Sequence, residues 1–278
     1  MNTKEELKAL YKKLEICEKC KNNGSKDIDN LDKFLFLPPR IEEGKIKYLF
    51  IAMEPTDLWC NGAKEGKKLV KDGFVGFYYS KDSQSRFTVF LLHFSAQEFL
   101  CEPGETYLIT DLGKCSMPTE KDNKDDLTKK TRDNRFTNCL EFLKKEIEIT
   151  KPKQIFILGG DPEKKLKKYK DIFDKAKKIL HYSRNNTRSG HFSKYCEKVE
   201  NQKAFIDFKK NEADIKSKIN KFIDVRKDQI WAHDIKTSEA NRLLIMKMLD
   251  SIREKINKDG LTDDSLKRLF YYYNMFKH

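Results

Sequence analysis

Apolar positions along the chain follow two periods. Four short runs are largely apolar: Ile46 to Ala52, Thr106 to Leu112, Gln154 to Gly159 and Lys177 to His181. Runs of this length bounded by polar segments read as buried strands. Between them, apolar residues recur at helical spacing over roughly 4–16, 85–99 and 162–176. The clearest such stretch is RFTNCLEFLKKEIEIT, which sets Phe136, Leu140, Leu143 and Ile147 on one face and is followed by Pro152. Strands alternating with helices predict an α/β fold with a parallel sheet and βαβ crossovers.

Two regions break the alternation. Residues 116–134, SMPTEKDNKDDLTKKTRDN, carry almost no apolar side chains and read as a charged loop. Residues 197–278 show no strand pattern and read as three or more helices, one near 238–257 and one over 263–276. Thr262 is placed to N-cap the last, with Asp263 and Asp264 in its first turn. The expected division is therefore an α/β domain over 1–196 and a helical extension over 197–278. RLFYYYNMF in that extension has too many aromatics for a solvated face and reads as a helix packed on the main domain. Trp231 and His233 attach to no motif and read as structural. No internal repeat is visible.

Composition narrows the class. A chain of 278 residues suits one large domain or one domain with an appendage. No stretch approaches the roughly 18 apolar residues of a membrane span, and the charged amphipathic start, MNTKEELKALYKKLE, is no signal peptide. A soluble, cytoplasmic monomer with no membrane partner is expected. The net charge of +13 and pI near 9.2 favour an anionic partner such as nucleic acid, although a Lys-rich composition would give the same charge without one. Seven cysteines in such a chain read as metal ligands or core residues, not disulfides.

The candidate chemistry gathers where strands stop. Ligands of parallel sheets bind at the carboxyl ends of strands. The first run ends KYLFIAMEP, so Glu54 stands just past it, Asp111 ends the second and His181 the fourth. Cys17 and Cys20 form a C-x-x-C pair, Cys115 closes TDLGKC, and Cys139 follows on a helix with 23 residues between them. Two separated pairs of thiolates can hold a tetrahedral zinc or a [4Fe–4S] cluster. Cys139 also reads as a small core residue of its helix. Cys60, Cys101 and Cys196 have no matching spacing and read as structural.

Together these pieces resemble the uracil-DNA glycosylase superfamily, most closely its family 4, over roughly residues 5–195. The resemblance implies a three-layer αβα fold with a central four-stranded parallel sheet, here followed by C-terminal helices. It also implies DNA as partner and a [4Fe–4S] cluster on Cys17, Cys20, Cys115 and Cys139, with zinc as the alternative. The family motif after the first strand is G-E-x-P-G. Here Met53 stands in place of that Glu, while Glu54 directly precedes Pro55, where family 1 has its catalytic Asp. A carboxylate there stabilises positive charge on the sugar and activates water. The DGFVGF segment matches the family's P-F-V-G and makes Phe74 the residue that stacks on an extruded base. HYS matches H-P-S, which makes His181 the donor to the departing base, with Tyr182 in place of Pro. Ser183, Arg184, Arg188 and Lys194, in and after that motif, are the expected phosphate contacts.

One departure bears on the substrate. The family reads its base with the Asn of N-V-V-K-C, and this chain has Asp111. An ionised Asp only accepts hydrogen bonds, which suits the N4 amine of cytosine and not the O4 of uracil. Removal of ordinary cytosine would destroy the host genome, so the expected base is a modified cytosine, such as those of some phage genomes, with a role in anti-phage defence. A protonated Asp111 would restore uracil. The 17 residues between Thr56 and Phe74 exceed the family's usual gap and leave room for a bulkier base. No Lys stands where a Schiff base would form, so the expected enzyme is monofunctional. The alternatives are ordinary uracil removal in DNA repair and a catalytically degenerate protein that binds nucleic acid or a partner.

Overall fold

The computed structural model describes residues 2–17, 19, 35–36, 41, 44–53, 83–116, 126–182, 190–232 and 239–277. Two compact units divide the chain: Met1–Val70 with Pro103–Ile179, and Lys71–Glu102 with Leu180–His278.

The first unit contains the sheet. Its strands are β1 (Lys45–Ala52), β2 (Glu105–Asp111), β3 (Gln154–Leu158) and β4 (Ala176–Ile179), all parallel, in the order β2-β1-β3-β4. The fold is thus α/β with a central four-stranded parallel sheet flanked by helices, as expected. Alternation along the strands sorts the side chains into two faces. Leu49, Ile51, Leu108, Ile155 and Ile157 join one apolar cluster. Phe50 stacks on Phe156 with ring centres 4.9 Å apart and meets Tyr107 edge-on at 5.9 Å on the other face.

Two helices complete the cluster. In α1 (Thr3–Glu15) the buried Leu7, Leu10, Tyr11 and Leu14 recur at three- and four-residue steps, and the Asn2 side chain caps the first turn by accepting from the Lys4 N–H at 3.3 Å. Phe136, Phe142 and Leu143 join it from α3 (Asp126–Thr150). Complete burial of a Leu or Ile side chain contributes roughly 1.5–3 kcal/mol, so this cluster is what fixes the sheet against its helices.

The second unit is helical. α2 (Ser83–Ser95) runs directly into a π-helical turn, Ala96–Leu100. It shares the unit with α6 (His191–Cys196), α7 (Val199–Lys210), α8 (Glu212–Ala232), α9 (Glu239–Asp259) and α10 (Asp263–Lys277). α8 and α9 pack together and are bridged by the ion pairs Lys227–Asp250 and Arg253–Asp224. Thr262 caps α10 as expected, its hydroxyl accepting from the Ser265 N–H at 3.3 Å, with Asp263 and Asp264 in the first turn.

Three expectations need correction. Residues 126–134 are the start of α3 and not loop. Charged residues are adequate helix formers, and an acid in the first turn suits the helix dipole, so a helix can begin before its apolar face does. The helix expected over 162–176 is two, α4 (Gly160–Leu166) and α5 (Lys170–Phe173), because Tyr169 leaves helical geometry at φ −108°, ψ 75°. Finally, β4 ends at Ile179, so His181 lies two residues beyond the strand and not on it.

Candidate functional site

β1 and β2 run in register to their carboxyl ends, where Ala52 faces Asp111. Two further bonds continue the pairing: the Leu112 N–H donates to the Ala52 carbonyl and the Gly113 N–H to the Met53 carbonyl, both at 2.9 Å. Met53 and Asp111 are therefore brought to one edge of the sheet. Glu54 is the next residue in the chain and, with Phe74, lies outside the described residues.

Strand order places a crevice at this edge. From the central β1 the chain moves to β2 on one side, then crosses to β3 on the other. Ligands of open α/β sheets bind at such a switch point, beyond the ends of the two diverging strands. Gly159 follows β3 with φ 89°, ψ 179°, a conformation open essentially to glycine alone. A Cβ added to Gly160 would meet nothing within 4 Å. In the sequence, two glycines directly after an apolar run are the one local signal of this pair.

A buried polar network lies behind Asp111. Lys114 and Glu146 form an ion pair at 2.6 Å with side chains 1% and 0% exposed. The Lys114 ammonium also donates to the Thr110 hydroxyl at 2.6 Å, and that hydroxyl donates to both Glu146 oxygens at 3.0 Å. The network ties the end of β2 to α3. Sequence reasoning missed it, since Thr110, Lys114 and Glu146 meet only through the fold.

Asp111 is partly buried, and its carboxyl is raised to about 7. Burial is the main cause. The Lys114 ammonium pulls the other way, and the Glu146 carboxylate adds to the rise. Asp111 therefore changes charge in the neutral range, and its protonated form offers both a donor and an acceptor.

Three of the four expected cluster ligands are described: Cys17 and Cys115, both partly buried, and the buried Cys139; Cys20 is not. Among the described residues, no group of three or more His, Cys, Asp or Glu side chains is placed to hold a metal. Polar groups lie near these cysteines. The Lys114 N–H points at the Cys139 sulfur at 3.4 Å, while Arg135 donates to the Cys115 carbonyl at 2.8 Å. The Lys19 ammonium is held above its usual range first by its bond to Glu141, and Cys17 and Cys139 both add to the rise, so one cation lies near both sulfurs. Cys196 differs: it is buried, and burial pushes its thiol up to about 12, as befits a core residue.

In the second unit, His181 is partly buried and stacks on the Tyr182 ring at 4.1 Å between centres. Lys194 is exposed on α6. Ser183, Arg184 and Arg188 lie outside the described residues. An open cleft lined by Lys4, Lys13, Lys45, Lys47, Lys145 and Lys151, among others, lies at the amino end of β1, away from Asp111, and includes none of the expected site residues. No described helix is long and apolar enough to cross a membrane.

The family model of the Uracil DNA glycosylase superfamily matches residues 62–210, more than half of the chain. Neither the comparison with curated proteins nor that with solved structures gave a match.

Proposed function

Because the chain belongs to the Uracil DNA glycosylase superfamily, whose activity is of the DNA glycosylase type, we propose that it is a monofunctional glycosylase that excises a modified cytosine from DNA. A base flipped out of the stack enters the crevice at the carboxyl edge of the sheet. The observation that carries this reading is the in-register pairing of Ala52 with Asp111, which brings a carboxyl group to the strand edge next to the residue that precedes Glu54.

Each residue has one task. Phe74 stacks on the flipped base. The ionised Asp111 accepts a hydrogen bond from the N4 amine of the cytosine ring. Glu54 takes a proton from water, whose oxygen bonds to C1′ as the C1′–N bond breaks. The bond's electron pair leaves with the base, and His181 donates a hydrogen bond to the base carbonyl where negative charge gathers. The products are the free base and an abasic site. Ser183, Arg184, Arg188 and Lys194 meet the backbone phosphates. Modified cytosine as substrate gives the enzyme a role against phage DNA.

Cys17, Cys20, Cys115 and Cys139 would hold a [4Fe–4S] cluster, or zinc in its place. The N–H aimed at the Cys139 sulfur and the Lys19 charge near two of the sulfurs support thiolates here. Its contribution would be to cross-link the N-terminal segment, the TDLGKC loop and α3.

A second reading, uracil removal, is favoured by one observation: the Asp111 carboxyl is raised to about 7. When protonated it matches a uracil edge as an amide would. Base release from matched DNAs distinguishes the two. Free base is measured from DNA with uracil, unmodified cytosine, hydroxymethylcytosine and glucosylated cytosine at both pH 6 and pH 8. Release from a modified-cytosine DNA alone supports the first reading, release of uracil alone supports the second, and no release from any DNA contradicts both.

A further inference from the structure

Helix α10 reaches back to the segment that carries His181. Its buried face includes Arg268, Tyr271 and Tyr272, which are 2%, 5% and 0% exposed. Three of their hydrogen bonds end on the backbone on either side of His181. The Leu180 N–H donates to the Tyr271 hydroxyl at 2.9 Å, the Tyr272 hydroxyl donates to the Leu180 carbonyl at 3.2 Å, and Arg268 donates to the Tyr182 carbonyl at 2.8 Å. These side chains are themselves held. The Arg268 guanidinium lies 4.4 Å over the Phe192 ring, and Tyr271 meets that ring edge-on at 5.4 Å. Burial raises both phenols, Tyr271 to about 12, so both keep their hydroxyl protons through the neutral range.

The need for such a clamp is local. β4 ends at Ile179, so strand pairing stops before Leu180. The chain has Tyr182 where a proline would have fixed one backbone torsion covalently. Each residue has two soft backbone torsions. Pinning the carbonyls of Leu180 and Tyr182 leaves little freedom for the residue between them, and the His181 ring is further restrained by stacking on Tyr182. All three bonds are partly buried, so leaving any of them unmade is costly.

We propose that Arg268, Tyr271 and Tyr272 are positioning residues for His181, so that the C-terminal helix is part of the machinery that aims the imidazole at the departing base. The proposal rests on the reading of His181 given above, and its test separates the two. Tyr271→Phe, Tyr272→Phe and the double variant keep the rings and remove only hydroxyls. Full-length protein with labelled histidines gives an NMR signal for each of its five imidazoles, and His181→Gln identifies that of His181. In the double variant the His181 signal is expected to shift or broaden while the others stay in place. The kcat for base release is expected to fall roughly 10- to 100-fold with KM unchanged, as for a group misplaced by a fraction of an ångström. Should the double variant not fold, Tyr272→Phe alone is read in the same two ways. An unchanged His181 signal in a folded variant overturns the proposal, whatever the rate does. A shifted signal in a protein whose wild type releases no base supports the clamp and removes the catalytic reading of His181.

Discussion

The Gly113 N–H donates to the Met53 carbonyl at 2.9 Å, fastening the residue before Glu54 to the TDLGKC segment, which carries Asp111 at the end of β2 and closes on Cys115. On the proposed reading Glu54 activates water and Asp111 reads the base, and this bond fixes the backbone just before the one and just after the other. Space for it depends on the missing side chain of Gly113, where a Cβ would lie 2.9 Å from the buried Phe136 ring. Gly113→Ala is therefore expected to cost about 1–3 kcal/mol in urea unfolding and to slow base release. Unchanged stability would mean that the loop and α3 are not in close contact.

The Lys114–Glu146 pair makes a sharper stability prediction. Removing one partner of a buried pair strands the other charge, at roughly 3–5 kcal/mol. Glu146→Gln and Lys114→Met singly should each show a loss of this order in urea unfolding. The double variant Lys114→Met/Glu146→Leu should recover most of it, since a well-packed apolar pair removes the desolvation penalty. Equal losses in the single and double variants would contradict the pairing.

As the proposed base reader, Asp111 is expected to couple pH to substrate choice. At pH 6 its carboxyl is mostly protonated and suits uracil; at pH 8 it is ionised and suits cytosine. The ratio of uracil to modified-cytosine release should therefore rise as pH falls from 8 to 6. A ratio at each pH cancels the titration of Glu54. Asp111→Asn should remove this dependence and favour uracil throughout; a ratio that does not change with pH in the wild type would contradict the assignment of Asp111 as base reader.

The same group affects stability with a definite sign. Its folded value, about 7, lies above the unfolded reference of 3.8. The stabilisation is thus fully present below about pH 4 and is lost as pH rises through 7. At about 1.4 kcal/mol per unit the change approaches roughly 4 kcal/mol. Urea unfolding of Asp111→Asn against wild type between pH 4 and 8 should show the variant gaining relative stability as pH rises. A constant difference would place the Asp111 carboxyl in water.

The cysteine site is read by its contents. Anaerobically purified protein is expected to contain iron and acid-labile sulfide in equal amounts and to lose both in Cys139→Ser. Zinc in their place would make the site tetrahedral and structural. Neither metal would leave Cys139 as a core residue of α3.

Much of the fold, and the strand edge that carries Asp111, is legible in local patterns. The four apolar runs mark the strands, and strand ends led to Asp111 and Glu54 because parallel sheets bind ligands there. Period-3.6 spacing marked α1 and the apolar half of α3, while its charged first turns, having no apolar stripe, read as loop. The contacts that hold the site were not legible. Lys114 is one of many cations in the sequence, and only the fold shows that Thr110 and Glu146 close around it in the buried interior. Tyr271 and Tyr272 read as packing residues, which they are. That their hydroxyls serve the Leu180 backbone depends on where β4 stops, a boundary set by tertiary pairing and not by composition.

On the reading proposed above, this chain breaks an N-glycosidic bond in DNA with the Glu54 carboxylate as the base that takes a proton from water. Single-turnover reaction of wild type and Glu54→Ala with phage DNA rich in glucosylated or hydroxymethylated cytosine, followed by mass spectrometry of the free base, tests it directly. Wild type should give stoichiometric free modified cytosine with matching abasic sites, and Glu54→Ala should lose roughly 100-fold or more of that activity. Binding of that DNA without free base, or equal release by both proteins, would contradict this reading.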